Sequence, residues 1–249
     1  NNRKKFKEMK KLSLLVVCGA FLIGFMANAQ SEKINGNGKV VTETRSTAGY
    51  DAIRIAGSFD VDLVAGKEGK IIVKGEENIL SAIVVEVEEN TLKIYTKKNT
   101  NIRSSIGKKV EVIIPFEKIS ELTLSGSGNI KSKDIIKNDS FLAKLSGSGN
   151  FSLAVDSNSF ELNLSGSGNV NLKGNADNFT TKLSGSGDID ASALKSKNVV
   201  VNVSGSGDSK VNCSETLTAR VSGSGDIKYT GNPEKRDVKV SGSGNISKV

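Results

Sequence analysis

Hydrophobic and polar residues alternate strictly along much of the C-terminal half of the chain. In the segment 160–164, for example, Phe160, Leu162 and Leu164 are separated by Glu161 and Asn163. A period of two residues places successive side chains on opposite faces of an extended backbone, and it is typical of a half-buried β-strand. The pattern therefore predicts strands that turn one face to a core and the other to water.

The alternating segments recur at a nearly constant interval. Each ends at the tetrapeptide Ser-Gly-Ser-Gly, which begins at residues 125, 146, 165, 184, 204, 222 and 241, at intervals of 21, 19, 19, 20, 18 and 19 residues. Self-similarity at a period near 20 indicates a solenoid. Regular strands also suit a β-sandwich, but every copy repeats the same order of apolar positions. We predict an all-β parallel β-helix solenoid with turns of about 19 residues, right-handed by the general preference of parallel crossovers.

The glycines of the repeat are predicted to form a structural corner between two strands of each turn. If the alternation continues through the first copy, Gly126 and Gly128 face inward while Ser125, Ser127 and Asn129 face outward. Glycine lets the backbone bend sharply over the core. The predicted corner glycines are Gly126, Gly128, Gly147, Gly149, Gly166, Gly168, Gly185, Gly187, Gly205, Gly207, Gly223, Gly225, Gly242 and Gly244.

An Asn or Asp follows every copy and is predicted to form an outward ladder. Its members are Asn129, Asn150, Asn169, Asp188, Asp208, Asp226 and Asn245. Carboxylates of Asp188, Asp208 and Asp226 stacked about 4.8 Å apart repel each other unless they are solvated, protonated or bridged by a cation. These three are weak candidates for a calcium site, and the alternative is a purely structural ladder. No cofactor is otherwise predicted.

Residues 30–118 are predicted to be less regular β coils that cap the N-terminal end of the solenoid, since solenoids need atypical terminal units. Alternating runs occupy residues 50–55, 59–64, 70–73, 83–87, 92–96 and 109–114, and residues 55–63 resemble a degenerate copy of the repeat. The seven regular copies fill residues 119–249. We expect residues 30–249 to form one domain.

Residues 1–29 are predicted to be an upstream extension followed by a secretory signal peptide. From Met9 the chain has two lysines, an apolar run over residues 12–26, and a small-x-small triplet that ends at Ala29, the expected cleavage site. A transmembrane anchor would need roughly 20 apolar residues. A lipoprotein signal at Cys18 is a further alternative, although Val17 precedes that cysteine. We therefore expect an exported protein of the periplasm, outer surface or extracellular space, with no transmembrane span in the mature chain.

Charge and cysteine content limit the partners and the chemistry. The formal net charge of the whole chain is +8, but the predicted mature chain has 29 Lys or Arg and 26 Asp or Glu, a net charge of +3. That balance does not suggest a nucleic-acid partner, which calls for a concentrated basic face. Cys213 is the one cysteine of the mature chain, and its inward parity suggests a small core residue.

Three segments and the repeat together resemble one known family. They are residues 36–66, residues 85–95, the run VEVIIP at 110–115, and the repeated LSGSGN/D. The combination is similar to the head GIN domain family, whose members are described as auto-transporter adhesins. The resemblance implies a right-handed β-helix, a surface or periplasmic location and an adhesive role. It implies no catalytic or binding residue, and a C-terminal translocation barrel is not evident.

The function predicted from these observations is a secreted or surface, non-enzymatic β-helical protein that acts as an adhesin or envelope interaction module. Its partner is an unidentified surface ligand, a glycan or a protein. A polysaccharide-active β-helix enzyme is the alternative from another class, but such sites need paired carboxylates, usually on long loops, and turns of 18 to 21 residues leave little room for them. A purely structural envelope component is the third hypothesis.

Overall fold

The computed structural model of the protein describes residues 32–249. Within this range the chain forms nineteen strands and one four-residue helix. In chain order the elements are β1 (Glu32–Asn35), β2 (Val40–Ser46), β3 (Ala52–Ala56), β4 (Asp60–Ala65), β5 (Lys70–Glu76), α1 (Glu77–Leu80), β6 (Ile83–Glu88), β7 (Thr91–Thr96), β8 (Thr100–Arg103), β9 (Glu111–Phe116), β10 (Glu121–Gly126), β11 (Asn129–Ser132), β12 (Ile136–Gly147), β13 (Asn150–Gly166), β14 (Asn169–Gly185), β15 (Asp188–Gly205), β16 (Ser209–Gly223), β17 (Ile227–Thr230), β18 (Lys235–Gly242) and β19 (Ile246–Lys248).

The seven copies of the repeat stack in parallel, one above the other, as coils of a β-solenoid. The apolar residue that precedes each Ser-Gly-Ser-Gly pairs with its counterpart one coil away, in the order Leu124, Leu145, Leu164, Leu183, Val203, Val221 and Val240. The prediction of a parallel solenoid over a sandwich is confirmed. Its handedness stays a prediction.

The core is built from columns of equivalent apolar side chains. Phe141, Phe160 and Phe179 occupy one column, with ring centroids 5.4 Å and 5.3 Å apart, and all three are buried. Because three successive coils supply the same residue type at the same depth, each phenylalanine packs on a counterpart in a neighbouring coil. Offset aromatic stacking of this kind adds about 0.5–1.5 kcal/mol per pair beyond the burial of area.

The degenerate copy near the N-terminus is a coil of the same stack. β3 pairs in parallel with β10 and β4 with β11, so that Ile55 aligns with Leu124 and Asp60 with Asn129. On the opposite side β3 pairs in parallel with β7, and β4 with β9. The coil at residues 52–65 therefore lies between two coils that come later in the sequence, at residues 91–116 and at residues 121–132. The order of these coils in space differs from their order in the chain.

Antiparallel strands close this end of the stack. β2 pairs with β5, β5 with β9, and β6 with β7, all antiparallel. The N-terminal region therefore combines less regular coils, whose parallel members are β3, β4, β7 and β9, with antiparallel strands. A period of two residues indicates a strand but does not indicate the direction of its partner.

At the other end, the last coil carries a charged residue over the core. Arg236 stands one coil above Leu217, in the column that Phe141, Phe160 and Phe179 occupy lower down. Its guanidinium donates a hydrogen bond to the Tyr229 hydroxyl at 2.9 Å. An inward charge of this kind discourages another strand from pairing with an open sheet edge.

The predicted signal peptide, its cleavage site at Ala29 and the alternatives at Cys18 lie outside the described residues. Among residues 32–249, no helix has the length and apolar character needed to cross a membrane.

Candidate functional site

Two columns of serine hydroxyls run along the corner of the solenoid. All fourteen serines of the seven tetrapeptides are exposed. They are Ser125, Ser146, Ser165, Ser184, Ser204, Ser222 and Ser241 in the first column and Ser127, Ser148, Ser167, Ser186, Ser206, Ser224 and Ser243 in the second. Equivalent residues of adjacent parallel strands lie about 4.8 Å apart. We call these two columns, together with the Asn/Asp ladder beside them, the serine–Asx face.

The first glycine of each tetrapeptide has a conformation that other residues rarely adopt. Gly147, for instance, has φ +120°. A Cβ added there would overlap the carbonyl oxygen of Gly126, the equivalent residue of the preceding coil. The glycine is therefore required both by its own dihedral angle and by the close approach of two backbones.

The second glycine is required by the close approach alone. A Cβ on Gly149 would overlap the carbonyl oxygen of Gly128, one coil below, and its φ is not in the left-handed region. The predicted bend of these glycines over the core stays a prediction, and the crowding that the structure shows comes chiefly from the backbone of the preceding coil. Before the last coil, the first glycine of each tetrapeptide is only half-buried, whereas the second is buried.

The amide members of the ladder hydrogen-bond through their side chains. The Asn129 amide donates to the Asp60 carboxylate at 2.6 Å, and the Asn150 amide donates to the Asn129 Oδ1 at 2.7 Å. The Asn169 amide continues the series to the Asn150 Oδ1 at 3.3 Å. An Asn side chain carries both a donor and an acceptor, so it can bond to the coil below and the coil above at once.

The aspartate members use a different arrangement. The backbone N–H of Asp208 donates to the Asp188 carboxylate at 2.9 Å, and that of Asp226 donates to the Asp208 carboxylate at 2.8 Å. The N–H of Asn245 bonds to Asp226 in the same way, at 2.8 Å. The same backbone contact occurs between asparagines, where the Asn169 N–H donates to the Asn150 Oδ1 at 3.1 Å. Because a carboxylate has no donor, the backbone contact is the one that remains between aspartates.

The aspartates therefore have a structural partner, and they do not converge on one point. In the part of the chain that the structure describes, no group of three or more Asp, Glu, His or Cys side chains is placed to hold a metal ion. Asp188, Asp208 and Asp226 each lie on a different coil. Each carboxylate holds the backbone of the coil that follows.

A shallow polar groove borders the aspartate part of the ladder. It is lined by Asn169, Asn171, Asp188, Asp190, Asp208 and Lys210, with Val170 and Ile189 beneath. Burial disfavours the charged form of Asp190, but hydrogen bonds from the Ser192 hydroxyl and backbone N–H outweigh it and hold the pKa of the carboxyl below its ordinary value. This carboxylate is therefore ionised at neutral pH, whereas a general acid needs a raised pKa.

The other carboxyls with a perturbed pKa show the same direction. Hydrogen bonds and nearby lysines or arginines lower the pKa of Glu76, Glu88, Glu121, Glu161 and Asp237. At Glu121 burial acts against this lowering and is outweighed. These acids all belong to ion pairs or hydrogen-bonded corners, a pattern typical of structural carboxylates rather than of a hydrolytic pair.

A second asparagine ladder, at a different corner, was not predicted. The Asn198 amide donates to the Asn178 Oδ1 at 3.1 Å, and the Asn178 amide donates to the Asn158 carbonyl at 3.3 Å. The signal was present in the sequence, since Asn178 and Asn198 are 20 residues apart. Both asparagines stand six residues before a Ser-Gly-Ser-Gly, at 184 and 204, so aligning the copies on the tetrapeptide places them in one column.

Cys213 lies in the core, as its parity predicts. It is fully buried, and burial raises the pKa of its thiol. The thiol lies 3.1 Å from the Thr216 carbonyl. A thiol with a raised pKa is a poor nucleophile, so the residue contributes packing and one weak hydrogen bond.

Solved structures share this architecture. A protein described as a "putative adhesin" from Bacteroides fragilis has a TM-score of 0.77 and 25% identity, with 87% of this chain and 100% of that chain covered. A "putative lipid binding protein" from Parabacteroides distasonis has a TM-score of 0.70 and 27% identity over 88% of this chain and 100% of that one. A third, a "putative adhesin" from Parabacteroides merdae, has a TM-score of 0.68 and 22% identity over 88% and 99%, and shares the fold.

Sequence comparison agrees with the structural likeness. No curated protein is similar enough in sequence to count as a relative. The family model described as "Putative auto-transporter adhesin, head GIN domain" matches residues 49–233, well over half of the chain. That match includes the degenerate coil, the antiparallel strands after it and most of the regular coils. The chain therefore belongs to the head GIN domain family.

Proposed function

We propose that the protein is an exported, non-enzymatic surface protein that binds an extended polar ligand, a glycan or a protein segment, through the serine–Asx face. The observation that carries the proposal is the regular array of fourteen exposed hydroxyls. The stacked glycines keep these hydroxyls on a rigid backbone, so binding does not have to order a flexible loop. Preorganisation of this kind favours affinity because less conformational entropy is lost.

The regularity of the array suits a ligand that is itself repetitive. Each coil offers the same two hydroxyls at an interval of about 4.8 Å, and a single weak contact can therefore recur along the face. Linked weak contacts add up to a useful overall affinity. The relatives described as adhesins support a role in surface attachment, and the predicted signal peptide supports export.

A polysaccharide-active enzyme has less support. Its two carboxyl groups would have to lie on one groove, one of them with a raised pKa. Asp188 and Asp190 do lie on one groove, but the pKa of Asp190 is lowered. Turnover of any glycan by the purified protein would favour the enzyme over the binding module.

The proposal is tested by a binding screen on the mature protein from residue 30, over glycan arrays and immobilised cell-surface extracts, with and without calcium. A triple variant in the middle of the face, Ser165→Glu, Ser184→Glu and Ser204→Glu, is expected to lose at least about tenfold in affinity for any ligand found, since it introduces charge and bulk at three contacts.

The matched control places the same three charges elsewhere. Ser140, Ser152 and Ser159 are exposed serines outside the serine–Asx face, and their replacement by Glu should leave binding within about twofold. Equal losses in the two triple variants would assign the effect to net charge and overturn the proposed face. If the screen detects no ligand, the hypothesis of a purely structural envelope component would be favoured.

A further inference from the structure

The connection from β7 to β9, residues 97–109, departs from the solenoid and is strongly basic. It contains five Lys or Arg and no Asp or Glu, whereas the predicted mature chain as a whole has a net charge of only +3. Its strand β8 pairs with β1 in a two-stranded sheet separate from the large one. We call residues 97–109 the basic excursion.

An isoleucine projects fully into solvent from this segment. Ile106 is 103% exposed, compared with 69% for Val249, the next most exposed large hydrophobic residue of the described chain. It lies in a turn closed by a hydrogen bond from the Lys108 N–H to the Ser105 carbonyl at 2.9 Å. Gly107, with φ +73°, completes the turn. A large apolar side chain in that position gains nothing from the fold itself.

The turn is anchored to the body of the protein. The carboxylate of Glu76, a residue only 1% exposed, accepts hydrogen bonds from the Ser105 N–H at 2.8 Å and from the Ser105 hydroxyl at 2.6 Å. The Gly38 N–H donates to the same carboxylate at 2.6 Å. Ser105, the residue before Ile106, is therefore fixed through its backbone N–H and its hydroxyl. The exposure of Ile106 is a property of the folded structure.

Four cations of the excursion remain available to a partner, three of them before Ile106 and one after it. Lys97, Lys98 and Arg103 are exposed. The ion pairs at the N-terminal end of the described residues, among them those of Lys109 with Asp60 and of Lys93 with Glu88, leave these three out. Lys108 is also exposed and follows Ile106 by two residues. Cations thus lie on both sides of the apolar tip.

We propose that the basic excursion docks the protein on an anionic phospholipid bilayer, with Ile106 entering the interface and Lys97, Lys98, Arg103 and Lys108 lying on the headgroups. An apolar side chain flanked by Lys and Arg is the arrangement that binds at membrane surfaces, where each cation near an anionic leaflet adds favourable energy. A soluble polyanion would use the cations equally well but would leave Ile106 in water. This inference does not depend on the serine–Asx face.

Vesicle cosedimentation tests the proposal. The mature chain from residue 30 is mixed with large unilamellar vesicles of phosphatidylcholine alone or with 30% phosphatidylglycerol. We expect binding to the anionic vesicles only, weakening as salt rises because the Debye length shortens. Ile106→Ser should lower partitioning by about tenfold, and the double variant Lys97→Ala, Lys98→Ala by about twentyfold.

Two controls make the result specific. Lys173→Ala with Lys239→Ala removes the same charge from exposed positions outside the excursion and should change partitioning by less than about threefold. The thermal unfolding temperature of Ile106→Ser should match that of the parent protein, since the Ile106 side chain is not buried and does not stabilise the fold. Equal partitioning to neutral vesicles, unchanged partitioning of Ile106→Ser, or binding to soluble polyphosphate without vesicle binding would each overturn the proposal.

Discussion

A single corner glycine shows how closely the coils approach. Gly147 combines φ +120° with a backbone carbonyl where a Cβ would stand, and the same pair of constraints recurs at Gly166, Gly185, Gly205, Gly223 and Gly242. The tetrapeptide has the composition of a flexible linker, yet from the second copy onward each glycine lies on another glycine. Mutual close approach explains why the motif repeats as a whole.

Gly147→Ala is expected to lower the free energy of unfolding by about 2–4 kcal/mol, because it adds dihedral strain and forces two backbones apart. Gly107→Ala is the matched control. Gly107 has φ +73° and open space where its Cβ would lie, so only the strain of about 1–2 kcal/mol applies. Urea unfolding of the two variants separates the dihedral strain from the overlap with the neighbouring backbone. A similar loss of unfolding free energy in both variants would contradict the role of close approach.

Ser209 is a polar residue in an apolar column. It pairs with Ile189 below and Ile227 above, it is 1% exposed, and its hydroxyl has no hydrogen-bond partner among the described residues. Burying a hydroxyl without a partner costs about 1–3 kcal/mol. The position is thus a local weakness in an otherwise uniform core.

We expect Ser209→Val to raise the free energy of unfolding by about 1–2 kcal/mol, since it removes the unpaired hydroxyl and extends the apolar column. Ser209→Ala removes the hydroxyl without filling space, and it should give a smaller gain. The stabilities of the two variants are compared through the denaturant concentration at the midpoint of unfolding, provided that the m-value stays constant. A loss of stability in Ser209→Val, with a gain in Ser209→Ala, would mean that the column has no room.

At the scale of elements, Glu76 joins three separate pieces of the N-terminal end. It ends β5 and binds Ser105 in the basic excursion and Gly38 in the turn before β2. The Ser105 hydroxyl is the chief cause that lowers the pKa of the carboxyl, and the backbone N–H groups and Lys108 add to it, while burial opposes it.

A lowered pKa in the folded state gives a pH-dependent stability of known sign. The stabilisation is present above the unfolded-state pKa, near 4.5, and is lost as pH falls through the folded-state pKa. We expect Glu76→Gln to be less stable than the parent protein at pH 7, with the difference shrinking as pH falls below about 4.5. Urea unfolding at several pH values measures it, and a constant difference would rule out the ionised carboxylate as the cause.

The elements differ in how far their sequences reveal them. The strands of the regular coils were predictable because each one packs on a copy of itself, so its local pattern also describes its partner. The strand positions near residues 70–73 and 83–87 were predictable for the same local reason, but their antiparallel partners were not. The buried carboxylate of Glu76 gave no signal, since its donors lie 29 and 38 residues away.

At the scale of the whole solenoid, the two ends are closed by different means. Antiparallel strands cover the N-terminal end, whereas the last coil leaves Val238 and Val240 50% and 41% exposed, with Arg236 above the core. We expect Arg236→Leu to promote self-association through this coil, measurable by sedimentation velocity, because an apolar open edge invites strand pairing.

Lys239→Leu is the control for the loss of one positive charge from the same strand. Lys239 lies between Val238 and Val240 and so faces away from the core by parity. Equal association of the two variants would assign the effect to surface hydrophobicity and not to the covering of the core by Arg236.

The position of the coil at residues 52–65, between two later coils, has a consequence for the order of assembly. The N-terminal end is complete only when residue 116 is available, because β4 needs β9. From residue 136 onward each coil pairs with the one that precedes it in the chain, and adding one closes a loop of only about 20 residues at modest entropic cost. A chain that crosses a membrane N-terminus first would thus fold one coil at a time, and every completed coil would oppose backward sliding.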